Sequence, residues 1–106
     1  DDRLYRYVLP MERKFVTPDM VRAGTALAAL ELIEGGVTTV ADMYYFETEV
    51  GRVVDKAGIR GVVGQTIADF EPPDQGNIDE GFARTEELLA EFSDHPRVTA
   101  SIAPHA

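Results

Sequence analysis

Hydrophobic and polar positions along the chain follow helical and strand periods in turn. Between residues 17 and 36, apolar side chains recur at helical spacing, at positions 20, 23, 27, 30 and 33. This pattern predicts a helix that packs on the protein through that face. Thr17 can cap its first turn, Pro18 suits the first helical position, and Gly35 with Gly36 ends it. Residues 37–46, VTTVADMYYF, predict a buried strand because they are rich in β-branched and aromatic residues.

Two more helix and strand units follow. Segments 47–58 and 78–96 predict helices, and segments 59–68 and 97–106 predict buried strands. We expect these inner faces: Val50, Val53, Val54 and Ala57 in the first helix, and Ile78, Phe82, Leu88, Leu89 and Phe92 in the second. Residues 1–9 predict at most a short helix, which Pro10 should end.

The alternation of helix and strand predicts an α/β fold with a parallel sheet built by right-handed crossovers. Three strands are too few for such a sheet, because a parallel sheet is covered on both faces and its edges are paired or blunted. We therefore expect the chain to be part of a larger α/β domain, or to complete its sheet with partners.

The composition narrows the class of protein. The formal net charge is −9, and only Lys14 and Lys56 are lysines, which argues against binding to nucleic acid because that requires a positive face. A solvated acidic surface explains this charge, and adaptation to high salt is the alternative. No membrane span and no export signal is visible, and cysteine is absent. We expect no membrane association and a cytoplasmic location.

Candidate chemistry lies where the predicted strands end, because active sites of parallel α/β folds occupy the carboxyl ends of the strands. Polar residues and one methionine at these ends are Asp42, Met43 and Tyr44, then Gln65 and Asp69, then His105. The imidazole of His105 could donate a hydrogen bond, bind a metal or transfer a proton, but no second ligand stands at local metal spacing. Phosphate-loop, GxSxG and HExxH motifs are absent.

Several segments together resemble a known family. In order and spacing, LPME (9–12), GGVTTVADMY (35–44), AGIRGVVGQTIADF (57–70) and HPRVTASIAPHA (95–106) resemble the middle of the amidohydrolase superfamily. Within it they resemble the branch of deaminases acting on methylthioadenosine and S-adenosylhomocysteine, to which guanine deaminases and triazine chlorohydrolases are related.

The resemblance implies a fold and a cofactor. It implies a partial (β/α)8 TIM barrel, with residues 1–106 as one segment of a metal-dependent barrel domain that spans the second to fourth strands. It also implies a divalent metal, usually zinc, whose ligands lie outside this chain together with the catalytic residues. The rest of the barrel, or further copies in a homo-oligomer, would be the partner.

The resemblance also implies roles for individual residues. His105 matches a histidine that hydrogen-bonds the purine ring, and Glu12 matches a glutamate that holds the ribose hydroxyls. Tyr44 is a candidate pocket wall but could equally be a core aromatic. Gln65, from its place at a strand end, is a weaker candidate for contact with substrate. Family members that accept S-adenosylhomocysteine grip its carboxylate with arginines, yet Gln65 and the loop 69–77 offer no basic residue. This departure argues against S-adenosylhomocysteine and leaves methylthioadenosine, adenosine or another ring compound open. An arginine from elsewhere in the protein, or from a partner subunit, could restore the grip on its carboxylate.

The implied function is hydrolysis of an exocyclic amine of a purine-like small molecule by metal-activated water. One alternative keeps the barrel but acts as a triazine chlorohydrolase or guanine deaminase. Another alternative, from a different class, is a small acidic α/β module that binds a partner and catalyses nothing.

Overall fold

The computed structural model describes residues 2–105 as helices that alternate with strands. A π-helical segment, Leu4–Val8, comes first. The elements after it are α1 (Leu9–Phe15), α2 (Pro18–Glu34), β1 (Thr39–Tyr44), α3 (Glu47–Ala57), β2 (Arg60–Ile67), α4 (Ile78–Glu91) and β3 (Val98–Pro104). The predicted order of helix and strand units is therefore confirmed. Ala106, the last residue of the APHA segment, lies outside the described residues.

The strands form one parallel sheet in the order β1-β2-β3. In its register Asp42 lies beside Val63, and Val63 lies beside Ala100. Helices α3 and α4 contact β2 and each other, so they cover the same face of the sheet. The α/β class with a parallel sheet, predicted from the alternation, is confirmed.

Burial differs between the strands. The second half of β2, Val63–Ile67, is buried, whereas β1 has no buried residue and β3 has one, Val98. The prediction of buried strands therefore holds for the second half of β2, whereas Arg60 and Val62 in its first half are exposed. Strands β1 and β3 are edge strands of this sheet, each with a neighbour on one side only, so their side chains are covered less.

The core fills the space between the sheet and the helices α3 and α4. Val54, Val63, Leu88 and Phe92 are among its buried residues. A Cβ on Gly51 would lie 2.6 Å from the Phe92 ring. Glycine at this position therefore lets α3 approach Phe92 closely.

The predicted inner faces of α3 and α4 are correct in part. In α3, Val50 and Val54 are buried, while Val53 and Ala57 are half-buried. Leu88 in α4 and Phe92 directly after it are buried, but the other three predicted residues are exposed: Ile78, Phe82 and Leu89. The prediction for α4 failed where the apolar residues lie off the stripe that faces the core.

Helix α2 has the predicted ends but the opposite inner face. The Thr17 hydroxyl accepts a hydrogen bond from the Met20 amide at 3.2 Å, as expected of an N-cap. The buried residues are Val21 and Ala29, whereas the face predicted to pack is exposed: Met20, Ala23, Leu27, Leu30 and Ile33. The face of α2 that carries Val21 and Ala29 therefore meets this part of the fold, and the larger apolar side chains point away from it.

Pro10 does not end the first helix, contrary to the prediction. It lies in the first turn of α1, directly after the π-helical segment. A proline is tolerated in a first turn because its missing N–H has no obligatory acceptor there. The wider π-helical turn before it leaves room for the ring.

Within residues 2–105, no helix combines the length and the apolar character needed to cross a membrane.

Candidate functional site

The carboxyl ends of the strands meet at one edge of the sheet. Tyr44 at the end of β1 lies beside Gln65, and Ile67 at the end of β2 lies beside Pro104. Because parallel strands point the same way, residues just past these ends share one rim. The structure thus brings Tyr44 and His105, two of the predicted site residues, to the same edge of the fold.

Glu12, on α1, is held at this edge by two tyrosines. The Tyr44 hydroxyl donates to Glu12 Oε1 at 2.7 Å, and the Tyr45 hydroxyl donates to Glu12 Oε2 at 3.3 Å. Glu12 is half-buried, and the two tyrosine rings lie 4.6 Å apart between centroids. Glu12 and Tyr44, predicted separately from the sequence, therefore form one cluster, to which Tyr45 is an addition that the sequence did not reveal.

The tyrosines remain hydrogen-bond donors over the physiological range. Burial, then the Glu12 carboxylate, raises the pKa of the Tyr44 hydroxyl well above its ordinary value. The same causes, burial first, raise the pKa of Tyr45 to about 12. Each hydroxyl therefore keeps its proton and orients Glu12. Since a carboxylate offers about four acceptor positions, the cluster leaves Glu12 able to accept further hydrogen bonds.

His105 lies exposed just beyond β3. Its backbone N–H donates to the Ile67 carbonyl at 2.8 Å, which extends the pairing of β3 with β2 past Pro104. The imidazole meets the Phe70 ring edge-on, with centroids 6.4 Å apart. The backbone is thus fixed, while the imidazole stands at the rim where a ligand can reach it.

An ion pair connects the two halves of this rim. The guanidinium of Arg13, next to Glu12, is paired with the Glu71 carboxylate. Glu71 follows Phe70, whose ring contacts His105. The loop after β2 therefore lies between α1 and the end of β3, and it brings Glu12 and His105 to the same side of the molecule.

Gln65 does not reach this rim with its side chain. It is 1% exposed, and its amide nitrogen donates to Asp74 Oδ2 at 2.8 Å and to the Thr66 carbonyl at 3.2 Å. Its amide oxygen accepts from the Glu47 backbone N–H at 3.3 Å. This placement does not support the predicted contact of Gln65 with substrate, because the side chain lies on the face of β2 that the helices cover.

Glu47 is a feature that sequence reasoning missed. It begins α3 directly after the strand-end tyrosines, and it is fully buried, at 0% exposure. Burial first, then the Asp42 carboxylate, raises the pKa of Glu47 to about 9. In the sequence it looks like an ordinary acidic residue in a first helical turn, so no signal distinguished it.

One cavity lies beside the helix-covered face of the sheet, and the rim residue Tyr44 is part of its lining. It measures about 600 Å³ and runs between α2, β1 and α3. Its lining is mostly apolar, and Asp42 and Tyr44 bring ionisable groups to it. This cavity follows the open edge of β1, where the sheet has no further strand.

Metal ligation finds no support within this chain. Across residues 2–105 there is no group of three or more His, Cys, Asp or Glu side chains placed to hold a metal ion. These residues do not fit the zinc that the family resemblance implies, so no metal-dependent step can be assigned to them.

The chain is similar in sequence and in structure to parts of known deaminases. The chain is 40% identical over 105 residues to 5-methylthioadenosine/S-adenosylhomocysteine deaminase 1 of Syntrophus aciditrophicus, covering 99% of this chain and 24% of that protein. It superposes on a crystal structure of a zinc-bound adenosine deaminase from Xanthomonas campestris with TM-score 0.92 and 35% identity, covering 98% of this chain and 24% of the other.

A guanine deaminase from C. acetobutylicum, with guanine bound in its active site, matches at TM-score 0.78 and 27% identity, covering 96% of this chain and 26% of that one. The chain therefore spans about a quarter of the length of the proteins it matches. Its sheet is part of a (β/α)8 TIM barrel, as the resemblance implied.

The amidohydrolase family profile matches residues 2–106. This match covers nearly every residue, and a solved relative superposes closely on the chain. The chain therefore belongs to the amidohydrolase family.

Proposed function

We propose that the full-length protein carrying this chain is a hydrolytic deaminase of purine nucleosides, with methylthioadenosine, adenosine or S-adenosylhomocysteine as substrate. In this reaction water adds to the ring carbon that bears the exocyclic amine. A carbon–oxygen bond replaces the carbon–nitrogen bond, and ammonia leaves. Relatives named as deaminases of these compounds support the reaction class.

One observation carries the proposal: the Glu12 carboxylate is fixed by Tyr44 and Tyr45 at the rim that also carries His105. The two hydroxyls use part of its acceptor capacity, and the remainder suits the adjacent hydroxyls of a ribose. His105 can donate to a ring nitrogen of the base. The Tyr44 ring forms a wall beside the sugar, as the family resemblance implies.

These residues bind and orient substrate, and none of them performs the chemical step. We propose that the catalytic groups and a divalent metal, zinc in the first instance, belong to the part of the full-length protein beyond residues 1–106. Support comes from the family, from a zinc-bound relative and from the absence of a ligand cluster in residues 2–105. Residues 1–106 are then one segment of the barrel domain, whose remainder covers β1 and β3.

The rim favours substrates without a carboxylate. Arg13 is the cation beside Glu12, and it is already paired with Glu71 in the loop after β2. Gln65 is buried and offers no charge. Methylthioadenosine and adenosine are therefore preferred to S-adenosylhomocysteine, whose amino-acid carboxylate would have to displace Glu71.

Guanine is the alternative substrate, and the guanine-bound relative favours it. Guanine has no ribose, so a guanine deaminase has no use for a sugar-binding Glu12. The two functions are therefore separated by the effect of Glu12 on different substrates.

Ammonia release by the full-length protein, loaded with zinc, tests the proposal. We expect turnover of methylthioadenosine and adenosine, and a loss of about 100-fold in kcat/KM in Glu12→Gln, because two charge-assisted hydrogen bonds to the ribose weaken. Glu86→Gln, on the exposed face of α4, is the matched control and should not change kcat/KM. Turnover of guanine alone, with no effect of Glu12→Gln, would overturn the proposal.

A further inference from the structure

A short turn connects β1 with α3 at the candidate site. Strand β1 ends at Tyr44 and α3 begins at Glu47, so this connection, the Phe46 turn, consists of residues 45 and 46 alone. Phe46 has left-handed backbone angles, φ 55° and ψ 41°, which are unfavourable for a residue with a side chain. Contacts from elsewhere in the fold therefore have to stabilise this conformation.

Phe46 also lacks the kind of side chain that usually supports a helix start. It is the N-cap residue of α3, a position where Ser, Thr, Asp and Asn are preferred because their side chains accept hydrogen bonds. Residues distant in the sequence supply the acceptors here instead. The Phe46 N–H donates to Asp74 Oδ2 at 2.8 Å. The Glu47 N–H donates to the Gln65 amide oxygen at 3.3 Å.

Asp74 is itself held from several sides. Its Oδ2 also accepts from the Gln65 amide nitrogen at 2.8 Å, and its Oδ1 accepts from the Gln75 amide nitrogen at 3.3 Å. Its backbone carbonyl accepts from the guanidinium of Arg84, which lies over the Phe46 ring, 5.5 Å from the ring centroid. Strand β2, the loop after it and α4 thus all contribute to the position of Asp74.

This hydrogen-bond network lies in the interior of the chain. Asp74 and Gln75 are each 4% exposed, and Gln65 is 1% exposed. Residues 2–105 provide this burial by themselves, so it does not depend on the remainder of the barrel. Loss of the Asp74 carboxylate would leave buried N–H groups without an acceptor, which is unfavourable in a region that water does not reach.

We propose that Asp74 is a positioning residue for substrate binding. It holds the Phe46 turn in the shape that keeps the hydroxyls of Tyr44 and Tyr45 on Glu12. The hydrogen bond to the Phe46 N–H compensates the unfavourable backbone conformation. Without it the Phe46 turn relaxes, and the adjoining tyrosines no longer hold the Glu12 carboxylate in one orientation. The effect on substrate binding rests on the proposed function.

Steady-state kinetics of the full-length protein, loaded with zinc, test this role. Asp74→Ala removes the acceptor of the Phe46 N–H, so KM for methylthioadenosine should rise about 10-fold with a smaller change in kcat. Asp74→Asn keeps one oxygen for that N–H, so KM should stay within about 3-fold of the wild-type value. An unchanged KM in Asp74→Ala, or an equal rise in Asp74→Asn, would contradict the role.

Asp79 provides the matched control variants. It is exposed and lies in the first turn of α4, five positions after Asp74 in the sequence. Asp79→Ala and Asp79→Asn should leave KM and kcat unchanged. A rise in KM as large in Asp79→Ala as in Asp74→Ala would show that loss of any acid in this region has the effect, and would overturn the proposal.

A double-mutant cycle separates the Phe46 turn from other effects of Asp74. Asparagine adopts left-handed backbone angles more readily than phenylalanine, so Phe46→Asn needs less support from Asp74. In the Phe46→Asn background, Asp74→Ala should therefore raise KM only about 3-fold, instead of about 10-fold. An equal rise in both backgrounds would show that Asp74 does not act through the Phe46 turn.

Hydrogen exchange of the Phe46 amide tests the contact without enzyme activity. In the full-length protein labelled with ¹⁵N-phenylalanine, this amide should exchange slowly in the wild type and in Asp74→Asn, and at least about 10-fold faster in Asp74→Ala. Rapid exchange in the folded wild type would overturn the proposal, whether or not Asp74→Ala folds. Absence of all deaminase activity would refute the proposed function, while the exchange still decides whether Asp74 holds the Phe46 turn.

Discussion

Glu12 and Glu47 lie on either side of the same pair of tyrosines, yet their surroundings treat a carboxyl group in opposite ways. Glu12 is half-buried and accepts hydrogen bonds from the hydroxyls of Tyr44 and Tyr45. Glu47 is fully buried and has no well-formed donor among the described residues. Glu12 thus has hydrogen-bond donors that stabilise a charged carboxylate, whereas the negative charges near Glu47 disfavour one.

The difference between Glu12 and Glu47 shows which of the two carboxyl groups can serve a ligand as a charged acceptor. A charged carboxylate with two fixed donors is ready to accept hydroxyl groups from a ligand. Burial and the nearby acids raise the pKa of Glu47, so its surroundings favour the neutral form of the carboxyl group. Sequence distance does not separate these cases, because both glutamates lie at helical positions within a chain of net charge −9.

The largest expected effect is on stability as a function of pH. The folded-state pKa of Glu47 is about 9, above its ordinary value of 4.5, so the folded state binds an extra proton between these pH values. The free energy of unfolding should therefore fall as pH rises from 4.5 to about 9, by up to about 1.4 kcal/mol per pH unit from this group alone.

Denaturant unfolding of the wild type and of Glu47→Gln at a series of pH values measures this slope. The stabilisation is fully present below the unfolded-state pKa and is lost as pH passes through the folded-state pKa. The variant should lack this part of the slope. Identical slopes for the two proteins would show that the pKa of Glu47 is not raised by folding and would remove the contrast.

The next effect concerns the donors of Glu12. The double variant Tyr44→Phe with Tyr45→Phe removes both hydroxyls, so Glu12 loses its fixed orientation, and KM for a nucleoside should rise about 100-fold with a smaller change in kcat. Tyr44→Phe alone should raise KM more than Tyr45→Phe alone. The hydrogen bond of Tyr44 to Glu12 is the shorter of the two, at 2.7 Å against 3.3 Å.

Tyr5→Phe is the matched control for the tyrosine variants, since Tyr5 is 61% exposed in the π-helical segment. Steady-state kinetics of the full-length enzyme provide the measurement. An unchanged KM in the double variant would mean that Glu12 needs no tyrosine support.

The smallest effect is expected at Gln65. Its side chain connects the backbone of Glu47 to Asp74 in the loop after β2. Gln65→Leu removes the partner of the Glu47 N–H and one donor to Asp74. Two buried groups lose a hydrogen bond, so the free energy of unfolding should fall by about 2 kcal/mol. Chemical unfolding at about pH 7 measures this loss. An unchanged free energy of unfolding would show that these hydrogen bonds do not stabilise the turn.

Much of the fold could be predicted from local signals. The Thr17 cap and the glycines after α2 mark the ends of that helix, and the β-branched runs mark the strands. Pro10 shows the limit of such signals, because proline ends a helix only when it falls beyond the first turn. The inner face of α2 was predicted wrongly because apolar residues occur on both of its faces, and spacing alone does not say which face meets α3.

The site was only partly visible in the sequence. Strand ends and family resemblance together indicated Glu12, Tyr44 and His105, and the structure brings these three to one edge. Tyr45, Asp74 and Glu47 carried no separate signal. Their importance depends on distances between segments that lie far apart in the sequence, such as the 28 residues from Phe46 to Asp74.

By itself, the sequence determined the order of the elements and the parallel sheet, because caps, turns and hydrophobic periods act over a few residues. The family was indicated by the resemblance of whole segments and not by these local patterns. Only the tertiary structure decided which side chains lose water. Packing buried the side chains of Gln65 and Glu47 and brought two tyrosine hydroxyls to Glu12. Charge, protonation and orientation depend on that local environment, which arises only when distant segments pack together.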